Sequence, residues 1–268
     1  MAAHVACFWP VWGWYIERLD DGSDEPWAVM ALLAAAALSW PRSGFRLRER
    51  DGLLVDAAAL TACYAVLVPF MPPLLRALVA MSALACTWVS LSGARAKAPA
   101  VICLVALSVP VIATLQFYAG YPLRAVTAAG ATCLLNLFGA DVVRAGTTMV
   151  AGDHTVLVDA PCSGVRMLWT GSALCCVLAC MRAQVSWAAM TLALACVVPM
   201  VLLANMLRAA LLFLLETASH PPPEFLHSLV GMLAFVIVGV SLLAFEAAQA
   251  RWRRRRQPHA FEPALRSP

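Results

Sequence analysis

VSWAAMTLALACVVPMVLLANMLRAALLFLL, Val185 to Leu215, decides the fold. The run is 31 residues long and carries a single formal charge, Arg208. A hydrocarbon core needs roughly 20 apolar residues to be crossed by a helix. Inside lipid a helix can satisfy every backbone polar group from its own segment. The whole chain is built on the same plan: 268 residues, 62% hydrophobic and 13% charged, with a mean hydropathy of +0.80. A soluble domain would carry about 25% charged residues. The expectation is an all-α, polytopic membrane bundle of about seven or eight transmembrane helices. The net charge of +4 does not point to nucleic acid. The 19 basic residues include one lysine, Lys97, and they cluster at helix ends, which is the signature of membrane orientation.

Working outward, Met167 to Met181 precedes the long run and Glu224 to Ala248 follows it as the last span. Pro221 to Pro223 closes the turn between them. Upstream, Leu53 to Phe70, Leu74 to Ser92 and Ala100 to Phe117 read as spans, the last with a kink at Pro110. Val5 to Ile16 and Trp27 to Trp40 are apolar but short, and the first is rich in tryptophan, as interfacial segments are. Gly120 to Pro122 reads as a turn. Counting Leu123 to Phe138 as a further full span would put the later basic loops on the wrong side. Four basic clusters lie together only if that segment rests on the outer face or re-enters. They are Arg42 to Arg50, Arg95 to Lys97, Arg182, and Arg251 to Arg256. Positive-inside logic places them, and the C-terminus, in the cytoplasm. Gly139 to Val158 is the most polar interior stretch. Its short extended pieces at Val142-Val143, Thr147 to Val150 and Thr155 to Val158 suggest a small extracytoplasmic cap. The chain reads as one integral membrane domain over 1–268. It comprises N-terminal helices at 1–98, a core at 99–249 and a basic tail at 250–268.

The cap leads into VDAPCSGVRMLW, Val158 to Trp169. Asp159 and Pro161 are typical of a helix start. Cys162 would then sit in a first helical turn, where unpaired N–H groups and the positive end of the dipole favour the thiolate. Nine other cysteines lie in apolar runs or near the terminus, and the plain reading of a cysteine here is packing. Cys162 alone sits beside polar, glycine-containing chain, next to Ser163 and Gly164. No pattern of cysteine and histidine suggests zinc, and none suggests a disulfide framework. No metal or organic cofactor is expected.

Arg208 is costly in an apolar run, about 2.5–3.5 kcal/mol on insertion scales, and such residues face protein or a wet cavity. Asn205 lies one turn earlier on the same face. His227, one turn into the last helix with Gly231 at i+4, is a candidate general acid or base, the role histidine most often fills. Arg166, four residues after Cys162, would share its helix face. Asp159 and His154 are further polar neighbours, and His220 looks structural. On the topology above, Cys162, Arg208 and His227 all approach the outer leaflet.

Ala-Pro-Cys162-Ser163-Gly164-Val165, then Asn205-x-x-Arg208, then His227-x-x-x-Gly231 resembles the exosortase/archaeosortase family of membrane cysteine transpeptidases. Leu134-Leu135-x-x-x-Gly139 and Val143-Arg144-x-Gly146 are similar to that family's approach to the cysteine. The resemblance covers about Ala100 to Ala248. It implies a protein-sorting enzyme of the cytoplasmic membrane with an outward-facing site. Its substrates would be exported proteins with a C-terminal tail of short motif, transmembrane helix and basic cluster. In bacteria that motif is often Pro-Glu-Pro. The tail would be cleaved and the new C-terminus passed to an acceptor nucleophile. By the resemblance Cys162 forms a thioester, Arg208 stabilises the oxyanion or thiolate, and His227 carries the proton. A histidine there, where archaeal relatives tend to have arginine, favours the bacterial type.

Two other readings differ in kind. A transporter could bind an anion at Arg208 and Asn205, though no inverted repeat or pair of broken helices accompanies them. A non-catalytic assembly protein could use the same helices to hold a partner. Cys162→Ser separates them: it abolishes activity in the enzyme and spares the other two.

Overall fold

A computed structural model describes residues 2–20, 27–41, 44–45, 51–218 and 223–256. Among the described residues the α-helices are α1 Ala2–Cys7, α2 Trp9–Asp20, α3 Trp27–Leu38, α4 Gly52–Leu67, α5 Pro73–Ser92, α6 Ala98–Leu107, α7 Ile112–Leu137, α8 Val165–Cys180, α9 Trp187–Glu216 and α10 Glu224–Arg256. The polar stretch forms a three-stranded antiparallel sheet, β1 Val143–Ala145, β2 Thr148–Ala151 and β3 His154–Leu157, in the order β1-β2-β3. Both of its hairpins close through two residues, with Gly146 and Gly152 at φ of 63° and 57°, the conformation that such tight turns require.

Among the described residues α5, α9 and α10 are long and apolar enough to cross a membrane. The stretches Arg95–Leu107 and Ile112–Leu137 are apolar enough together, bent by 88° at their break, and add a fourth crossing only where the bent pair is one span rather than a re-entrant loop. The shorter apolar helices α3, α4 and α8 bring the total to seven only if each of them also crosses.

The bend corrects the segmentation expected from sequence. No turn forms at Gly120 to Pro122, and Pro122 lies inside α7. The chain breaks at Ser108 to Val111, around Pro110, where the kink was expected. Breaking a helix in an apolar setting strips carbonyls of their partners. Two distant side chains supply replacements: Trp169 Nε1 donates to the Leu107 carbonyl at 3.1 Å, and the Tyr15 hydroxyl donates to the Ser108 carbonyl at 2.8 Å. Leu123 to Phe138 is therefore not a separate segment on a face. It is the second half of α7, packed along α9. The Val5 to Ile16 run is likewise two helices, α1 and α2.

The ends of the bundle can be told apart. Asp51 caps α4, accepting from Leu53 N–H, and pairs with Arg95 and with the Ser90 hydroxyl. Val185 N–H donates to the Ala96 carbonyl at 2.7 Å, and Arg182 pairs with Glu246 of α10. The loop carrying Arg95 and Lys97, the loop carrying Arg182 and the arginine-rich end of α10 thus gather at one end, as the charge pattern requires. Helix α10 continues through the arginine block to Arg256. Of the Arg42 to Arg50 cluster, residues 42, 43 and 46–50 lie outside the described residues, as do 219–222, which include His220 and the first prolines of the outer turn, and 257–268.

The main core joins α2, α3, α5, α6, α8, α9 and α10, with Tyr64 of α4 and Ile112 of α7 at its margin. A second, smaller core lies at the other end, where α7, the sheet and the ends of α9 and α10 meet, and Cys162 belongs to it.

Candidate functional site

Cys162 does not open α8. It lies in a 3-10 turn, Ala160–Ser163, which Gly164 at φ 79° joins to the helix beginning at Val165. The left-handed backbone at Gly164 turns the chain sharply, and a side chain there would be strained. A Cβ at that position would also lie 3.1 Å from Asn205 Nδ2.

Four side chains fix the turn. Asp159 Oδ1 accepts from Cys162 N–H at 3.3 Å. Asn205, 1% exposed, donates from Nδ2 to the Cys162 carbonyl at 2.7 Å and to Thr127 Oγ1 at 3.0 Å. Gln116 of α7 holds the residues on either side of the cysteine: its Nε2 donates to the Ala160 carbonyl at 3.3 Å, and its Oε1 accepts from the Ser163 hydroxyl at 2.8 Å. Ser163 Oγ in turn accepts from Val165 N–H at 3.3 Å, where α8 begins. The sulfur-bearing backbone is therefore held from α7 and α9 at once.

The thiol faces a cavity of about 60 Å³ whose walls include Val156 to Asp159, Leu212, Glu216 and His227. One water needs about 10–15 Å³ on that measure, so the space admits a few waters or a small reacting group. Arg208 lies one turn of α9 below Leu212 and packs across Gly231 of α10, where an added Cβ would stand 3.7 Å from its guanidinium. The cationic head acts on Cys162.

The resting sulfur is a thiol, against the expectation of a favoured thiolate. Burial pushes the Cys162 pKa up to about 12; Arg208 pulls it down, while Asp159 and Glu216 push it further up. The cause is local: Cys162 is 6% exposed, and its own N–H is taken by Asp159.

The structure thus brings Cys162 and His227 to one cavity, with Arg208 within electrostatic reach and Asn205, Ser163 and Gly164 behind the turn. Arg166 is exposed on α8, away from the cavity walls, because the left-handed Gly164 breaks the helical register that would have aligned it with Cys162. His154 is exposed on β3 and is not a wall residue. Gln116, Thr127 and Glu216 were not singled out from the sequence. The available signal for Gln116 was a lone amide in the apolar run Ile112 to Tyr118, the same kind of anomaly that marked Arg208. Among the described residues no cluster of three or more His, Cys, Asp or Glu is arranged to hold a metal.

Comparison with known proteins gives one family. The transmembrane exosortase family matches residues 3–244. The chain belongs to that family, and it is a polytopic helical membrane protein. The match also takes in the N-terminal helices, which the short motifs did not reach. Membership carries a general role, protein sorting of the transpeptidase kind. No curated protein and no solved structure matches the chain.

Proposed function

We propose that the protein is a sorting cysteine transpeptidase that cleaves the C-terminal tail of exported proteins and transfers the new C-terminus to an acceptor. The observation that carries this reading is the shared cavity of Cys162 and His227, with the charge of Arg208 acting on the thiol. His227 takes the Cys162 proton as Sγ attacks the scissile carbonyl. A thiol with so high a pKa is a poor nucleophile until that proton leaves. The oxyanion is stabilised by Arg208. The C–N bond then breaks, the leaving amine receives the proton from His227, and a thioester remains on Cys162. An acceptor nucleophile gives its proton to His227 and resolves the thioester. Asn205, Gln116 and Ser163 hold the turn and do not react.

By the positive-inside rule the end bearing Arg95, Arg182 and Arg251 is cytoplasmic, and the cysteine site opens on the other side of the cytoplasmic membrane. Substrates are exported proteins whose tail consists of a short motif, a transmembrane helix and basic residues. The helix sits in lipid beside the bundle and delivers the scissile bond at the depth of the cavity.

The test is tail loss from a tagged exported protein bearing such a tail, at matched enzyme levels. Processing with wild type and none with Cys162→Ala, Arg208→Ala or His227→Ala is the expected result. Mass spectrometry of the new C-terminus separates transfer from hydrolysis. Undiminished processing by Cys162→Ala overturns the reading.

A further inference from the structure

The sheet beside the cysteine ends on an open strand. Among the described residues β3 pairs with β2 on one side and with nothing on the other. The hydrogen-bond alternation fixes which groups face out. Val158 N–H donates to the Thr147 carbonyl at 2.9 Å, so Val158 bonds toward β2. In an antiparallel ladder every second residue does so, which sends Val156 and His154 the same way, in register with Met149 and Ala151. Thr155 and Leu157 therefore turn their N–H and C=O groups to the open edge. That edge is not remote. Val156, Leu157 and Val158 wall the cavity that holds Cys162 and His227, and four residues of chain separate Leu157 from Cys162. The Leu157 side chain is exposed on the face opposite Val156 and Val158.

We infer that the substrate binds as an added strand: an extended peptide segment next to the scissile bond pairs its backbone with Thr155 and Leu157 along β3, which carries its carbonyl to Cys162. The chemistry required is that of a peptide main chain, alternating donor and acceptor at strand spacing. Side chains of the segment would alternate between the cavity wall and solvent. Lipids, sugars and single amino acids lack that ladder. A strand mode also explains why a bundle needs a sheet beside its cysteine at all. The inference rests on the cysteine-enzyme reading above and adds what is recognised there, main chain as well as side-chain motif.

The experiment uses the full chain in membrane vesicles and reads alkylation of Cys162 by peptide mapping. The probes are an acetylated penta-alanine chloromethyl ketone and the same peptide with alternate amides N-methylated. Sulfur forms a bond to the methylene carbon, chloride leaves, and the thiol proton passes to solvent. The two probes share one warhead and differ only in main-chain donors. The plain peptide should label Cys162 at least fivefold faster than the N-methylated one. Leu157→Pro, which removes an edge N–H and leaves the β2 ladder whole, should erase the difference, and Leu157→Ala should keep it. Equal rates for the two probes on wild type, or an unchanged ratio in Leu157→Pro, overturn the inference. Chloroacetamide is the control: if it fails to label Cys162 at pH 9, the cysteine-enzyme reading falls and the strand mode with it. Labelling by chloroacetamide with no peptide preference removes the strand mode alone.

Discussion

Asn205 Nδ2 lies 2.7 Å from the carbonyl oxygen of Cys162, joining the middle of α9 to the turn that carries the sulfur. Both amide hydrogens are used, the second on Thr127. Asn205→Ala leaves a buried carbonyl and a buried hydroxyl without that donor, at about 1–3 kcal/mol. The expected outcome is a lower Tm in detergent and a tail-processing rate reduced about tenfold or more. Asn205→Asp keeps the shape but cannot donate, and it should be no better. A wild-type rate in Asn205→Asp would remove this bond from the account.

Alkylation of Cys162 should track pH steeply. With a pKa near 12, the thiolate fraction rises about tenfold per unit between pH 7 and 10, with no plateau in that range. The two charged neighbours should shift the rate in opposite directions. Arg208→Ala removes the group that lowers the pKa and should slow iodoacetamide labelling at every pH. Asp159→Asn keeps an oxygen for the Cys162 N–H but removes a charge that raises the pKa, and should speed it. Mass-spectrometric rates at Cys162 across pH 7 to 10 check both signs.

Gly231 gives a graded steric test of Arg208. A Cβ there would meet the guanidinium at 3.7 Å, an ordinary contact. Gly231→Ala should therefore process tails within about twofold of wild type. Gly231→Leu must push the guanidinium aside and should lose at least tenfold in rate with normal membrane levels. Equal activity in the two variants would show that Arg208 has no fixed place over α10.

Gln116 holds the cysteine turn on both sides. Gln116→Glu keeps the acceptor for Ser163 and loses the donor to Ala160. Gln116→Ala loses both. Processing should fall in the order wild type, Gln116→Glu, Gln116→Ala, while Cys162 alkylation by a small reagent stays measurable in all three. A flat series would make Gln116 a packing residue.

The sequence displayed some of this directly. The charge pattern placed Arg95, Lys97, Arg182 and the terminal arginines at one end, and the hydrogen bond from Val185 to Ala96 and the Arg182–Glu246 pair join those same loops. The short extended pieces of the cap were read from Val142 to Val158, and Gly146 and Gly152 close its hairpins because two-residue turns demand positive φ. The break between α6 and α7 was legible as a kink at Pro110, but the turn expected further on did not form. Gly120 to Pro122 has turn composition, but composition does not tell where distant donors such as Tyr15 and Trp169 wait to receive broken carbonyls. Cys162 shows the same limit. Asp-Ala-Pro-Cys has the look of a helix start, yet whether Gly164 takes a left-handed conformation depends on what lies beneath it, here Asn205. The thiol's resting state followed from burial, which no local motif encodes. Gln116 was missed because its partners are 44 and 47 residues away.

Helix α8 has 16 residues, about 24 Å of axis at 1.5 Å per residue, against a hydrocarbon thickness of about 30 Å. Its neighbour α9 has 30 residues, about 45 Å. Lipid next to α8 cannot match both. A leaflet thinned toward the cysteine turn would relieve the mismatch where α8 crosses, at a cost of fractions of a kcal/mol per Å. On the proposed reading, a substrate helix entering such a thinned leaflet would have its outer end uncovered before it reaches the sulfur.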